Sequence, residues 1–450
     1  AGMPSAWTAR WSNGTGEPVI ALGSDVDGIP QSNQKPGVAY RDPILSMAPG
    51  HGEGHNSGQA VNIVAALNVK ELMERERIDG TLLIWPGIAE ELLGTKAWYA
   101  RDGLFDGVDA VLFTHVSNNL NVSWGDARGT GLISVEYLFD GVAAHGAGDP
   151  WKGRSALDAV ELMNVGWNFR REHLQPLQRS HYVISNGGDQ PNVVPSYASV
   201  WYFIREITAE GIRTNWDTLQ RIAEGAAMMT DTTVSRRVVG AAWPRHFNKP
   251  IALAMDENIR AVGLPTWSED DQRFAKALQT LMGSDDPQGL ATELSDIGEP
   301  LENPVSGGSD DIGDISWNVP TVTLRYPSNV RGLQGHHWSS AMAMATPIAH
   351  KGATAGAKVV GATMLDLLQD ESLVAEAHAY FDDIQTKDVQ YESFVGPDDD
   401  PAIEKNAETM ALFKDQLEAL YYDPARFDNY LDQLGIEYPQ IEASFIQRGR

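Results

Sequence analysis

The chain has 450 residues, a formal net charge of −27 and no cysteine. Its length exceeds one ordinary core and points to two domains or more, its acidity excludes a nucleic-acid backbone as partner, which needs clustered Lys and Arg, and the lack of cysteine excludes disulfides, thiolate ligands and a thiol nucleophile. An apolar content of 42% fits a globular protein, and without a run of about 18 uncharged apolar residues no membrane span is expected.

Ala1-Gly2-Met3-Pro4-Ser5 has neither the basic start nor the apolar stretch of a signal peptide. The N-terminus reads as trimmed, and a cytoplasmic location is expected, with periplasmic or secreted as the alternative. Val19-Ile20-Ala21-Leu22 predicts a short strand ending at Gly23-Ser24-Asp25-Val26-Asp27.

Gly50-His51-Gly52-Glu53-Gly54-His55-Asn56 follows. Side chains two apart in extended backbone point to one side. Glu53 and His55 can therefore converge on one ion, with His51 beside or behind them. A glycine-rich polar run is ordinarily a surface loop, and the rest of the chain has to decide between the two readings.

Gln59 to Arg75 predicts a helix, with Val61, Val64, Ala65, Asn68 and Leu72 along one stripe. Thr81–Trp85 and Val108–Phe113 are further apolar strands, and continuous apolar strands alternating with helices predict a mostly parallel sheet covered on both faces. Sites in such sheets form beyond the strands' carboxyl ends, where Asp25, Asp27, Glu90, Glu91 and His115 lie. A Glu-Glu pair is ordinarily a solvated surface feature. At a strand end beside histidines it can divide labour, one carboxylate binding metal and the other taking a proton from water.

The pattern changes near Arg128. Ile133–Tyr137 alternates like a half-buried antiparallel strand. Ala156–Asn168 predicts a helix, Tyr182–Ile184 and Val200–Ile204 predict strands, a helix is expected from about Trp216 with Thr214 and Asp217 as a capping box, and Thr232–Val239 predicts a last strand. This β-α-β-β-α-β order is a compact α+β, ferredoxin-like module. From about Pro250 the first pattern resumes: Thr321–Leu324 predicts a strand, His336-His337-Trp338 follows a Gly-rich loop, and Ala341–Leu368 predicts a long helix. The expected organisation is a split α/β catalytic domain (1–129 and 248–384), an inserted lid or dimerisation domain (130–247), and an acidic, aromatic C-terminal extension (385–450) with two or three short helices after 403.

Eight segments in order carry a family resemblance: Gly50–Asn56, Pro86–Glu91, Arg101–Asp106, Ala143–His145, Gly153–Val160, Pro191–Pro195, Ser309–Trp317 and Gly335–Trp338. The chain resembles the aminoacylase/carboxypeptidase superfamily of di-metal peptidases, in particular the branch of p-aminobenzoyl-glutamate hydrolase and related N-acyl-amino-acid amidohydrolases. The resemblance implies two divalent ions, Zn²⁺ or Mn²⁺, held by Glu53, His55, Glu91, His115 and His336, with His51 behind them. It implies Glu90 as general base and later acid, His145 as an oxyanion stabiliser leaning over a neighbouring active site, and Asn192 and Arg205 on the substrate carboxylate. The implied substrate is a small N-acyl or N-aroyl amino acid or a short peptide, and the implied assembly is a homodimer through the inserted domain.

Three departures stand out: Glu53 occupies a position where these relatives carry cysteine, the family's N-terminal helical segment has no counterpart, and neither has the tail beyond about Asp383. The Glu53 exchange leaves an alternative open, a catalytically weak small-molecule or peptide-binding protein on the same scaffold.

Overall fold

The computed structural model describes residues 2–127, 129–300 and 308–441. In chain order its strands are β1 (Ala9–Asn13), β2 (Val19–Asp25), β3 (Gly80–Gly87), β4 (Ala110–Ser117), β5 (Gly125–Asp126), β6 (Gly131–Asp140), β7 (Arg179–Asn186), β8 (Tyr197–Glu206), β9 (Thr233–Ala242), β10 (His246–Phe247) and β11 (Thr321–Pro327). The fold is α/β with two principal sheets.

The central sheet has the order β1-β3-β2-β4-β11. Its inner pairs are parallel, and only β1 runs antiparallel, against β3. The unbroken apolar strands have a direct cause. Val19 and Ala21 enter one core cluster while Ile20 and Leu22 enter the other, so β2 is buried on both faces. Helices Gly58–Glu76 and Pro347–Gln369 cover one face through Val61, Ala65, Val69, Val359 and Met364.

The second sheet is antiparallel, in the order β7-β8-β6-β9. Helices Ala156–Arg170 and Ala209–Thr230 connect its strands, giving the ferredoxin-like β-α-β-β-α-β arrangement. Two expectations are corrected here. The second helix starts at Ala209, not near Trp216: the Thr208 side chain accepts from the Gly211 amide and caps it, and its buried stripe begins at Ile212. β6 is not half-exposed: Ser134 and Glu136 are buried. Glu136 pairs with Arg237 at 3.2 Å and with Lys405, from the C-terminal extension, at 3.3 Å.

The helix expected from Ala341 begins at Pro347. A four-residue turn of helix, Trp338–Ala341, precedes it, and Ala345, at φ 55°, interrupts the path between them. The extension forms a 3₁₀ turn at Ile403–Asn406 and helices Ala407–Glu418 and Tyr430–Gln433; its last expected stretch, residues 442–450, lies outside the described residues. The extension returns to the loop after β2, where the Gln440 amide donates to the Gly37 carbonyl at 2.9 Å, and Leu431 and Ile436 enclose Val38. Among the described residues no helix is long and apolar enough to cross a membrane.

One buried acid makes this fold sensitive to pH. Asp314 accepts from the Trp243 amide at 3.0 Å and the Tyr391 hydroxyl at 2.7 Å, and burial pushes its pKa up to about 7. Because the folded pKa lies above the unfolded one, the protonated acid's contribution is complete below the unfolded value and is lost as pH rises through the folded value. Urea unfolding of Asp314→Asn at pH 4 and pH 8 should show a smaller loss of stability on going to high pH than the parent shows.

Candidate active site

The glycines of the Gly50–Asn56 run allow its path. Gly54 has φ 111°, in the left-handed region. A Cβ on Gly52 would meet Ile29 Cδ1 at 2.6 Å and the His337 carbonyl at 2.8 Å. The run is therefore pressed between the loop after β2 and the His336–Trp338 segment. Paired backbone bonds between Ile29 and Gly50 close that loop.

The tight packing directs the side chains inward. Glu53, His55, Glu90, His115, Arg245, Ser309, Asp310, Arg325 and His336 line a cavity of about 480 Å³. Ligand-capable atoms of Glu53, His55 and His115 lie within 4.8 Å of one another, as do those of Asp25, His55 and Glu90. The His55 and His115 rings meet edge to face, 5.2 Å between centroids. His336 Nε2 stands 3.4 Å from Glu91 and 3.9 Å from Glu53, and its backbone φ of 51° is uncommon for a residue with a side chain. All five expected ligands and Glu90 are thus brought together.

Asp27 organises this group. One oxygen stands 3.1 Å from His55 Nδ1 and the other accepts the Glu91 amide at 3.0 Å. A carboxylate on Nδ1 fixes the tautomer that leaves Nε2 free as a ligand. His55 Nε2 and Glu91 Oε1 are buried with no hydrogen-bond partner. Burial alone would lower the His55 pKa, but the bond to Asp27 and the nearby acids outweigh it and raise it to about 9. Orphaned donor atoms of this kind, converging from carboxylate and imidazole, fit a divalent cation.

A second layer lies beneath. Lys96, fully buried, pairs with Asp25 at 2.7 Å, with Asp311 at closer range, and faces Asp310 at 3.7 Å. Asp25, Asp27, Glu53, Glu90, Glu91, Asp310 and Asp311 make seven acids against three permanent cations, Lys96, Arg245 and Arg325, an excess of four negative charges that two divalent cations would offset. Burial and neighbouring acids push Glu90 well above its usual range. Burial likewise lifts Asp25 to about 6 and Asp311 to about 7, against the pull of Lys96.

The remaining expected residues stand elsewhere. His145 and Asn192 are not among the residues lining the cavity of their own chain. They meet each other on the inserted domain, where His145 bridges to Val193 and the Gly146 amide donates to the Asn192 carbonyl at 2.8 Å. Arg205, on β8, donates to Ser309 Oγ at 2.7 Å and so backs the cavity wall rather than entering it. His51 stands beside Asp27 and His55, and burial lowers its pKa to about 4.

Sequence reasoning assigns no role to Asp27, Lys96, Asp310, Asp311, Arg245 or Arg325. Asp27 has a signal in its strand-end position, and Asp310 and Asp311 have one in their ordered motif. Lys96, a lone lysine in a short helix, has none.

The chain is similar to known proteins over most of its length. Residues 129–228 match the model of the peptidase dimerisation domain of M20 proteins. The chain is 34% identical over 397 residues to one of the subunits of p-aminobenzoyl-glutamate hydrolase from Escherichia coli K12, covering 83% of this chain and 82% of that protein. It belongs to the M20 hydrolase family. The mouse Xaa-Arg dipeptidase is 28% identical over 60% of each chain. The crystal structure of an aminobenzoyl-glutamate utilization protein from Klebsiella pneumoniae shares the fold at a TM-score of 0.53 and 18% identity, covering 80% of this chain and 74% of that one.

Asp27→Asn would place an amide NH₂ against one of two donors. It should lower divalent-cation affinity about 10- to 100-fold while leaving far-UV circular dichroism unchanged, as calorimetric titration with Zn²⁺ can check.

Proposed function

We propose that this M20 hydrolase is a metal-dependent amidohydrolase that cleaves N-acyl or N-aroyl amino acids or short peptides. One observation carries the reading: the orphaned His55 Nε2 and Glu91 Oε1 sit among Glu53, His115 and His336, with Glu90 on the same cavity wall. Those five residues would hold two divalent cations, and a set of nitrogen and oxygen donors without sulfur suits Zn²⁺ or Mn²⁺. Glu53 brings its carboxylate within reach of both histidines, which favours a working centre over a catalytically silent binding protein.

Bound cations would supply Lewis acidity toward the scissile carbonyl and toward water. Glu90 supplies the proton path. Its carboxylate takes the proton of the attacking water and returns it to the leaving amide nitrogen. A buried carboxylate with a raised pKa is suited to holding that proton between the two steps.

The oxyanion needs a donor, and the hydrogen bonds of His145 prepare one. The Ala147 and Gly148 amides donate to its Nδ1 at 3.1 and 3.0 Å, which assigns the neutral ring's proton to Nε2. His145 stands outside its own cavity, so in this reading it serves the site of a second copy. The inserted domain supports such a homodimer: Phe169 is 75% and Met228 81% exposed, and Val183 and Ile184 on the edge strand β7 are also open. p-Aminobenzoyl-glutamate, named for one relative, is a small aroyl amino acid of the proposed substrate class.

A hydrolysis panel of p-aminobenzoyl-glutamate, other N-acyl amino acids and dipeptides, with Zn²⁺ or Mn²⁺ restored to stripped protein, tests the activity. Glu90→Gln should reduce kcat by at least about 1,000-fold with cation content unchanged. Near-normal turnover in that variant would remove Glu90 from the mechanism.

A further inference from the structure

A second cavity, of about 710 Å³, lies across the Gly50–Asn56 run from the catalytic one, and the proposed chemistry does not use it. Gly50 and His51 line it, whereas Glu53 and His55 of the same run line the catalytic cavity. One loop therefore separates the two spaces. That partition is close-packed: a Cβ on Gly50 would meet the Asn33 backbone nitrogen at 2.8 Å, and one on Gly28 would meet the Gly50 carbonyl oxygen at 2.8 Å. Its volume is in the ordinary range of a small-molecule site.

The C-terminal extension forms the opposite wall. In helix Ala407–Glu418 and the turn after it, Met410, Phe413, Leu417 and Leu420 recur every three or four residues, the spacing of one helical face. Such a face is ordinarily packed away from water, yet this helix has no buried residue. Leu417 and Leu420 look onto the cavity, with Met344 on the side of the catalytic domain. The space between helix and body is thus apolar on two sides and filled by neither.

The turn that follows adds aromatic rings and a charge. Gln433 holds it from both ends, donating to the Tyr421 carbonyl at 3.0 Å and accepting the Asp423 amide at 2.8 Å. The Tyr422 hydroxyl donates to the Phe427 carbonyl at 2.7 Å. Tyr421, Tyr422 and Tyr430 line the cavity, and Tyr421 is 73% exposed. The amides at hand are already engaged, Gln34 with the Tyr40 carbonyl at 2.9 Å and Asn429 with Asp432 at 2.7 Å. Asp428 lines the cavity, and no lysine or arginine does.

We propose that this cavity is a second ligand site, one that takes an aromatic amine. Tyrosine faces beside a carboxylate attract an organic cation, and the leucine stripe covers its apolar body. An anion of the same shape would find a carboxylate and no cation on the lining. The site is separate from hydrolysis and does not depend on the amidohydrolase reading.

Calorimetric titration of the full chain with tryptamine, and with indole-3-propionate as an anion of nearly the same shape, tests the proposal. Tryptamine should bind saturably, one per chain, and at least about tenfold more tightly than the anion. Tyr421→Ala should weaken tryptamine at least about threefold, while Tyr421→Phe, which keeps the ring, should not. Asp428→Lys should weaken tryptamine about threefold or more and strengthen indole-3-propionate, so that the preference narrows. Tyr421 and Asp428 are both exposed, so neither substitution disturbs a core. No saturable binding of tryptamine, or a preference for the anion, would overturn the proposal. So would tryptamine binding indifferent to Tyr421→Ala and Asp428→Lys, which would place the amine in the acidic catalytic cavity instead.

Discussion

Excess negative charge at the carboxyl ends of the central strands is the constraint on which this structure depends. Acids of this number, packed this closely, cannot all stay ionised in a buried site without cations. Lys96 meets part of the demand by bridging Asp25 and Asp311. The strand-end geometry concentrates the remainder on Glu53, Glu90 and Glu91, around two histidines. Burial and neighbouring acids push Asp25, Glu90 and Asp311 above their usual range, so these carboxyls favour a proton or a nearby cation over bare charge. In the proposed reading divalent cations would take over this role, with Glu53 and Glu91 among their ligands and Glu90 as the base.

The doubly buried sheet creates this demand and also supports it. Parallel strands β2, β3, β4 and β11 end at one edge, and the loops leaving that edge bring residues far apart in sequence to one place. The C-terminal extension adds a further tie. It clamps Gly37–Ala39 through Gln440, and that loop carries Arg41, whose guanidinium lies 5.1 Å from the centre of the Trp338 ring, two residues from His336. The extension therefore braces the segment that brings His336 to Glu91.

Much of this is legible in the sequence, for identifiable reasons. Continuous apolar runs mark strands buried on both faces, and glycines spaced between His51, Glu53 and His55 mark a tightly packed loop. The ordered motifs point to Glu90, Glu91 and His336, and the end of a continuous apolar strand points to His115; the fold brings all four together. The failures are local or long-range. Thr208 caps its helix about two turns before the expected start, because an ordinary Thr-Ala-Glu run carries no stronger signal than the Thr214 site. Lys96, Arg325 and the bracing role of the extension depend on contacts across 200 or more residues, which periodicity and spacing cannot show. Arg205 is implied as a carboxylate anchor by the family resemblance, but its partner, Ser309, is visible only in three dimensions.

Cation stoichiometry tests the charge argument most directly. Elemental analysis of the stripped protein after equilibration with Zn²⁺ or Mn²⁺ and removal of excess ion should find two per chain, falling in His55→Ala and Glu91→Ala. Retention of no cation by the parent, or an unchanged count in both variants, would contradict the account.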